Sequence, residues 1–240
     1  MSIEEKINLF FKDKNVLFMD TYKLDGKSYG RSLFETDWLR FVSEKPKIIM
    51  DIGSYDGGDS IRFIKEYPTS KVFSFEASPL RQDGLEEVSK KYGFTFIGKA
   101  ISDKDGICIF FDSLVDGERV DAQGSMFRHT NFYKEKYPRI KQKETFSEIP
   151  SIRIDKFCKD NNIKEIDLAH IDVEGAELKV ITGFGDIRPK MVFIETLGDE
   201  MFFDGYKISD LHRLLLNIDY ILAKDLKTDR LYIHKNFQND

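Results

Sequence analysis

The stretch KIIMDIGSYDGGDS at residues 47–60 limits what this chain can fold into more than any other segment. An apolar run at 48–50 ends in a carboxylate and a glycine-rich turn, and the SIRFIKEY that follows has the pattern of a helix opening. Strand, turn and helix in that order are the unit of a parallel sheet. Glycine at the carboxyl end of such a strand lets the backbone approach a bound molecule where a Cβ would collide. The spacing does not fit a dinucleotide fingerprint: counting from Gly53, Tyr55 stands where G-x-G-x-x-G needs its second glycine. No glycine here precedes Lys-Ser or Lys-Thr, which excludes a P-loop. Asp51, Asp56 and Asp59 would repel a pyrophosphate but suit a cation such as a sulfonium.

From Lys47 the pattern repeats. Strands are predicted at 71–76, 94–97 and 191–195, helices at 80–91 and 208–217, and two closing strands at 219–223 and 230–234. The expected fold class is α/β: a Rossmann-like sheet, mostly parallel, with an antiparallel C-terminal hairpin strand and helices on both faces. With 240 residues the chain fits one such domain at 47–240, preceded by a helical N-terminal appendage at 1–46. In the appendage, helices are predicted at 4–11 and 36–43, the second with Thr36 as N-cap, around a turn at 23–26; it either covers a sheet edge or the cofactor mouth, or adds core through Phe10, Phe11, Trp38 and Phe41. Asp105-Gly106 reads as a hairpin turn leading into a strand at 107–111. Between 112 and 150 the period is lost, and this stretch is taken as an insertion on the acceptor side of the domain.

A formal charge of −5 offers no electrostatic case for nucleic acid as a partner. No apolar run reaches the roughly 20 residues of a membrane span, and the amino terminus opens on acids instead of a basic leader. Cys108 and Cys158 lie outside any metal or redox spacing and read as reduced, buried thiols. A cytoplasmic location is the expectation. Oligomeric state is not legible in the residues.

Chemistry-bearing residues fall in four places. Glu76, a little over twenty residues beyond Gly53 at the end of the next strand, can accept both ribose hydroxyls of an adenosine cofactor, or be a surface glutamate. In the AISDKDG loop at 100–106, Ser102 or Asp103 could hydrogen-bond the exocyclic amine of the base. In the insertion, Arg128, Lys134, Lys136, Arg139, Lys141 and Lys143 are interleaved with Phe132, Tyr133 and Tyr137, a pattern that suits a sugar carrying an anionic group and equally a solvated amphipathic helix. IDLAHIDVEGAE at 166–177 places His170, Asp172 and Glu174 in an apolar strand, where burial is costly unless they have partners or work.

With D-V-E-G-A-E at 172–177, DIG-x-x-x-G at 51–57, Glu76, AISDKDG and MVFIE at 191–195, the chain resembles the FkbM family of S-adenosylmethionine-dependent methyltransferases over roughly 47–196. The resemblance implies a class I methyltransferase sheet and transfer of a methyl group to a hydroxyl of a carbohydrate or a glycosylated small molecule. His170 departs from the family, which usually has lysine there. The expected cofactor-binding residues are Asp51, Gly53, Ser54, Asp56, Gly57, Ser60, Glu76, Ser102 and Asp103. The expected acceptor-binding residues are Ser125, Arg128, His129, Tyr133 and Glu195.

In-line methyl transfer needs collinear positioning and loss of the hydroxyl proton. His170 is read as the base, with Asp172 and Glu174 beside it and His129 as second candidate. Alternatively His170 is a core histidine orienting Asp172. Asp172, Glu174 and Glu195 could instead hold Mg²⁺, although a metal-free site is preferred. Rival readings are an NAD-dependent sugar-modifying enzyme and a catalytically silent carbohydrate-binding or assembly module.

Overall fold

The computed structural model describes residues 1–17, 21–117, 119–120 (backbone) and 122–237. Seven strands, β1 (Ile48–Ile52), β2 (Lys71–Phe75), β3 (Thr95–Ile97), β4 (Leu168–Ile171), β5 (Met191–Glu195), β6 (Tyr220–Asp225) and β7 (Asp229–His234), form one sheet. Its order is β3-β2-β1-β4-β5-β7-β6. Strands β3, β2, β1, β4 and β5 pair in parallel, while β7 runs antiparallel to both β5 and β6. The chain works outward from β1 to β3 and then returns to start again at β4. That reversal opens a crevice beyond the carboxyl ends of β1 and β4.

The helices are α1 (Ile3–Phe11), α2 (Gly58–Glu66), α3 (Gln82–Tyr92), α4 (Asn131–Lys136), α5 (Ile154–Asp160), α6 (Glu177–Gly183) and α7 (Ile208–Asn217). Both faces of the sheet are covered, so its central strands are apolar on both faces instead of alternating, apart from Asp51 of β1 and His170 of β4. One face sends Met50, Ile52, Ala169, Ile171, Val192 and Ile194 against α5, α6 and α7 through Phe157, Val180, Leu211 and Leu215. The other sends Ile49, Leu168, Phe193 and Leu231 against Phe63 of α2 and against Phe11, Phe34, Trp38 and Leu39.

Those last four residues follow the second of the two expectations for 1–46, core packing, and extend it to Phe34 and Leu39. Trp38 and Phe34 are fully buried, so the N-terminal segment is one wall of the core. It is also not purely helical. Thr21–Leu24 and Lys27–Gly30 form a hairpin whose turn residues Asp25 and Gly26 both have positive φ. Thr36–Phe41 is a 3₁₀ helix with Glu35 at its N-cap position, so Thr36 does not cap it.

The expected hairpin at Asp105-Gly106 is absent from the pairing among the described residues. Ala100–Ile101 and Gly106–Phe110 both pair with Ser147–Ile152, the first parallel and the second antiparallel, and not with each other. Ser113–Val115, Arg119–Val120 and Ile140–Gln142 make a further small sheet with α4 beside it. Among the described residues no helix is long and apolar enough to cross a membrane. Both cysteines are free, Cys158 buried and Cys108 partly so.

Candidate active site

Gly53 leaves β1 with φ +88°, and a Cβ there would lie 1.6 Å from the carbonyl oxygen of Asp172, so only glycine lets β1 and β4 end side by side. The N–H groups of Gly53 and Ser54 donate to the Phe75 carbonyl at 2.9 and 3.0 Å, which ties the turn to β2. Two cavities meet here, sharing Gly53, Tyr55, Ala122 and Asp172 as common walls.

The first is mostly apolar, walled by Ile52, Phe75, Ile101, Phe110 and Met126 with the carboxylate of Glu76. Glu76 is 8% exposed. Its Oε2 accepts from Tyr55 N–H at 2.9 Å and its Oε1 from Ser78 N–H at 2.7 Å. Burial outweighs these bonds and raises its pKa to about 7. Tyr55 holds φ +51°, a region bulky residues rarely occupy, and the Arg81 guanidinium lies 3.9 Å over its ring.

The second cavity is lined by Ser54, Asp59, His170, Asp172, Glu195 and Asp229, among others. His170 Nδ1 meets Asp51 Oδ1 at 2.9 Å and its Nε2 lies 4.0 Å from Asp59 Oδ2. Phe193 stacks on the ring and Phe63 meets it edge-on. Burial opposes a charge on the imidazole, but the Asp51 hydrogen bond and the charges of Asp59, Asp51 and Asp172 prevail, and its pKa rises to about 9. The imidazole is thereby drawn toward its protonated form, held between Asp51 and Asp59.

The three aspartates of the glycine turn are also committed elsewhere. Asp51 is fully buried and accepts from His170 and from Ser60 Oγ at 2.6 Å. Asp56 accepts from Gly30 N–H at 2.8 Å and Gly58 N–H at 3.0 Å. Asp59 accepts from Ser32 N–H at 2.8 Å and from Arg62 at 2.5 Å. Asp56 and Asp59 thus bind the N-terminal strap over the cleft instead of presenting bare charge to a ligand. Gly58 permits this contact, because a Cβ there would lie 1.9 Å from the Gly30 carbonyl oxygen.

Carboxylates with raised pKa stand at the junction of the two cavities. Burial raises Asp172 to about 6, against a hydrogen bond from Glu195 and the charge of His170. Burial and the charge of Asp172 raise Glu195 well above its ordinary value. With ligand atoms within 4.8 Å of each other, the two carboxyls shift one another's affinity for a proton. Ligand atoms of Asp172, Glu174 and Glu195 lie within 4.8 Å of one another, a spacing that could also hold a hard cation. Glu177 accepts from Gly175 N–H at 3.1 Å, and burial raises it to about 7.

Of the expected cofactor residues, Gly53 and Glu76 line the first cavity, and Asp51, Gly53, Ser54 and Asp56 line the second. Gly57, Ser60, Ser102 and Asp103 line neither. Gly57 packs against Leu85, Val88 and Phe94. Ser102 Oγ donates to Asp103, which pairs with Lys179, and the loop residues that do face the first cavity are Lys99, Ala100 and Ile101.

Of the expected acceptor residues, only Glu195 lines either of these two cavities. Ser125 is fully buried and donates to the Glu174 carbonyl at 2.6 Å, fixing the 172–175 turn. Arg128 lies 3.8 Å over Phe111 and donates to the Lys143 and Glu144 carbonyls. His129 and Tyr133 are buried and stacked on each other at 3.7 Å, and burial lowers the His129 pKa to about 4. Arg128, Arg139, Tyr133 and Tyr137 thus have their partners within and beside the insertion. Tyr55, Phe110, Met126 and Asp229 escaped the sequence reading. Tyr55 carried a signal, as a bulky residue inside a glycine turn.

A sequence model described as the Methyltransferase FkbM domain matches residues 51–222. The chain belongs to the FkbM methyltransferase family. It is 32% identical over 167 residues to the 2-O-methyltransferase NoeI of Sinorhizobium fredii (strain NBRC 101917 / NGR234), covering 68% of each chain. The structure of a methyltransferase FkbM from Methylobacillus flagellatus KT covers 80% of this chain at 16% identity with a TM-score of 0.49, and this chain spans 44% of that one. TrmK of M. capricolum, solved with S-adenosyl-homocysteine, covers 85% of this chain and is itself covered over 69%, at 11% identity and a TM-score of 0.42. The order of strands, with β7 inserted antiparallel between β5 and β6, is the class I methyltransferase sheet that the sequence led us to expect.

Proposed function

We propose that this FkbM-family protein is an S-adenosylmethionine-dependent O-methyltransferase acting on a hydroxyl of a carbohydrate or glycosylated small molecule, with the Asp172–Glu195 pair as proton acceptor. The observation that carries the reading is the meeting of two unlike cavities at Gly53, Tyr55 and Asp172. One is an apolar slot with a single buried carboxylate, which suits an adenine face and a ribose diol. The other is wide, carboxylate-lined and suited to hydroxyl donors. Ser54, 6% exposed with no partner for its Oγ among the described residues, supports a polar ligand group between them. The 2-O-methyltransferase relative supports oxygen as the acceptor atom.

The residues present fit the cofactor. Glu76 would accept the ribose hydroxyls, with Phe75, Ile101, Phe110 and Met126 around the base and Ser54 toward the amino-acid end. When bound, the cofactor supplies a methyl carbon on a cationic sulfur, so that the C–S electron pair stays with sulfur as the new C–O bond forms. The protein's part is to hold the acceptor oxygen in line and take its proton. Asp172, at a pKa of about 6, is ionised at neutral pH yet more basic than an ordinary aspartate, which suits it to that transfer. Glu195 steadies the carboxylate through its own proton. His170 acts behind them as a fixed cation balancing Asp51 and Asp59.

A second reading is favoured by the spacing of Asp172, Glu174 and Glu195: a divalent cation would replace the shared proton and polarise the hydroxyl. Calorimetric titration with S-adenosylmethionine and with NAD, followed by methyl transfer to a glycoside panel, tests the function. Binding of NAD alone would refute it.

A further inference from the structure

Charges along the acceptor cleft differ in how fully the protein answers them. Asp51 and Asp59 share His170, and Asp59 also has Arg62. Arg31, on the same wall, is held by Glu35 at 2.7 Å. Asp172 and Glu195 lie beside each other, with ligand atoms within 4.8 Å. Asp229 is different. It opens β7 opposite Glu195 in register, is 7% exposed, and lines the cleft. The Thr228 hydroxyl donates to its Oδ2 at 2.7 Å, and no cation forms an ion pair with it among the described residues. Its neighbour Arg230 points instead to Asp225 and to Thr196. Lys227 is exposed at the tip of the turn and lines the cleft without an ion pair among the described residues. The unpartnered, buried Ser54 hydroxyl faces the same space.

A buried carboxylate engaged on one oxygen is a hydrogen-bond acceptor awaiting donors. Resting on the function proposed above, we infer that Asp229 is an acceptor-binding residue and that it selects a polyhydroxylated acceptor presenting a hydroxyl or a protonated amine, and no anion, beside the methylated oxygen. The cationic insertion does not reverse this choice: Arg128 and Arg139 are engaged by the Lys143 and Glu144 carbonyls and by Asp116, and among the described residues none of its Lys or Arg side chains lines the cleft. A carboxylate on the acceptor would face Asp229 and the charged Asp172–Glu195 pair together. At several ångströms and an intermediate dielectric that repulsion corresponds to roughly tenfold or more in kcat/KM.

The test offers labelled S-adenosylmethionine and an equal mixture of octyl β-glucoside, octyl 2-amino-2-deoxy-β-glucoside and octyl β-glucuronide, with each product resolved by mass. The glucuronide is expected to be methylated at least about tenfold less than the better of the other two. Asp229→Asn should bring the glucuronide within about threefold, and Lys227→Glu, on an exposed turn, should widen the gap. Cofactor affinity measured alongside should stay within about twofold in both variants, since neither residue lines the apolar cavity. Equal use of the glucuronide, or discrimination unmoved by both variants, overturns the inference while leaving the methyltransferase intact. Methylation of none of the three, with cofactor bound, overturns the carbohydrate reading beneath it. The preferred member of the neutral and amino pair tells which donor Asp229 receives.

Discussion

The proton-sharing pair makes a demand that other bases would not. Asp172→Asn removes the carboxylate while keeping its shape, and turnover should fall about 100- to 10,000-fold, the range for losing a positioned proton acceptor. Cofactor affinity should change by no more than about tenfold, because only one net negative charge leaves the junction. The pH dependence is more telling. The ionised form of Asp172 is the active one, so kcat/KM in the native protein should rise through about pH 6 and level off above it. Glu195 lowers the Asp172 pKa by donating to it, and such a bond to a charged group amounts to about 1.5–3 kcal/mol, or about one to two pH units. Glu195→Ala abolishes the donor and should move the acidic limb upward by about that much, while Glu195→Gln, which can still donate, should leave it near 6. Stopped assays of labelled methyl transfer between pH 5 and 9 measure all three. A limb at the same pH in Glu195→Ala and the native protein, or near-native turnover in Asp172→Asn, would refute the reasoning.

Other consequences are open to simpler measurement. His170→Lys keeps a cation between Asp51 and Asp59 and should retain most activity, whereas His170→Gln should lose at least about tenfold; the reverse order would restore a base role to the imidazole. Glu76→Gln should weaken S-adenosylmethionine binding by about ten- to a hundredfold in calorimetry, and native affinity should increase from pH 6 to 8 as Glu76 ionises, a dependence the variant should lack. Glu177 has a folded pKa raised to about 7, so the folded state holds its proton more tightly than the unfolded chain and this contribution to stability is lost as pH rises from about 4.5 through 7. Glu177→Gln should therefore raise the melting temperature at pH 8 and leave it nearly unchanged at pH 4.5. Chelation with EDTA should leave turnover unaltered; a loss restored by Mg²⁺ would assign Asp172, Glu174 and Glu195 to a cation instead.

The sheet was readable because its strands, buried on both faces, stand out as apolar runs between glycine and acidic punctuation, and α7 was predicted at its observed bounds. Glu76 and Asp172 were readable for a related reason: a carboxylate directly after such a run falls at a strand end, beside the crevice. What was not readable depended on contacts distant in sequence. Nothing local says that Asp56 and Asp59 are engaged by Gly30 and Ser32, or that Trp38 and Phe34 pack on Phe193. Arg128, His129 and Tyr133 have a binding site's composition, yet burial and stacking absorb them. The raised proton affinity of Glu195 has the same origin, since its neighbour Asp172 arrives from another strand.

The central claim, that the cleft between β1 and β4 was shaped around a sulfonium nucleoside with Asp172 facing the transferred group, is tested most directly by a crystal structure with S-adenosyl-homocysteine. The account predicts the base between Ile101, Phe110 and Met126, both ribose hydroxyls within hydrogen-bond reach of Glu76, and the sulfur facing the Asp172–Glu195 pair. A nucleoside lodged elsewhere, or a sulfur turned away from Asp172, would contradict it.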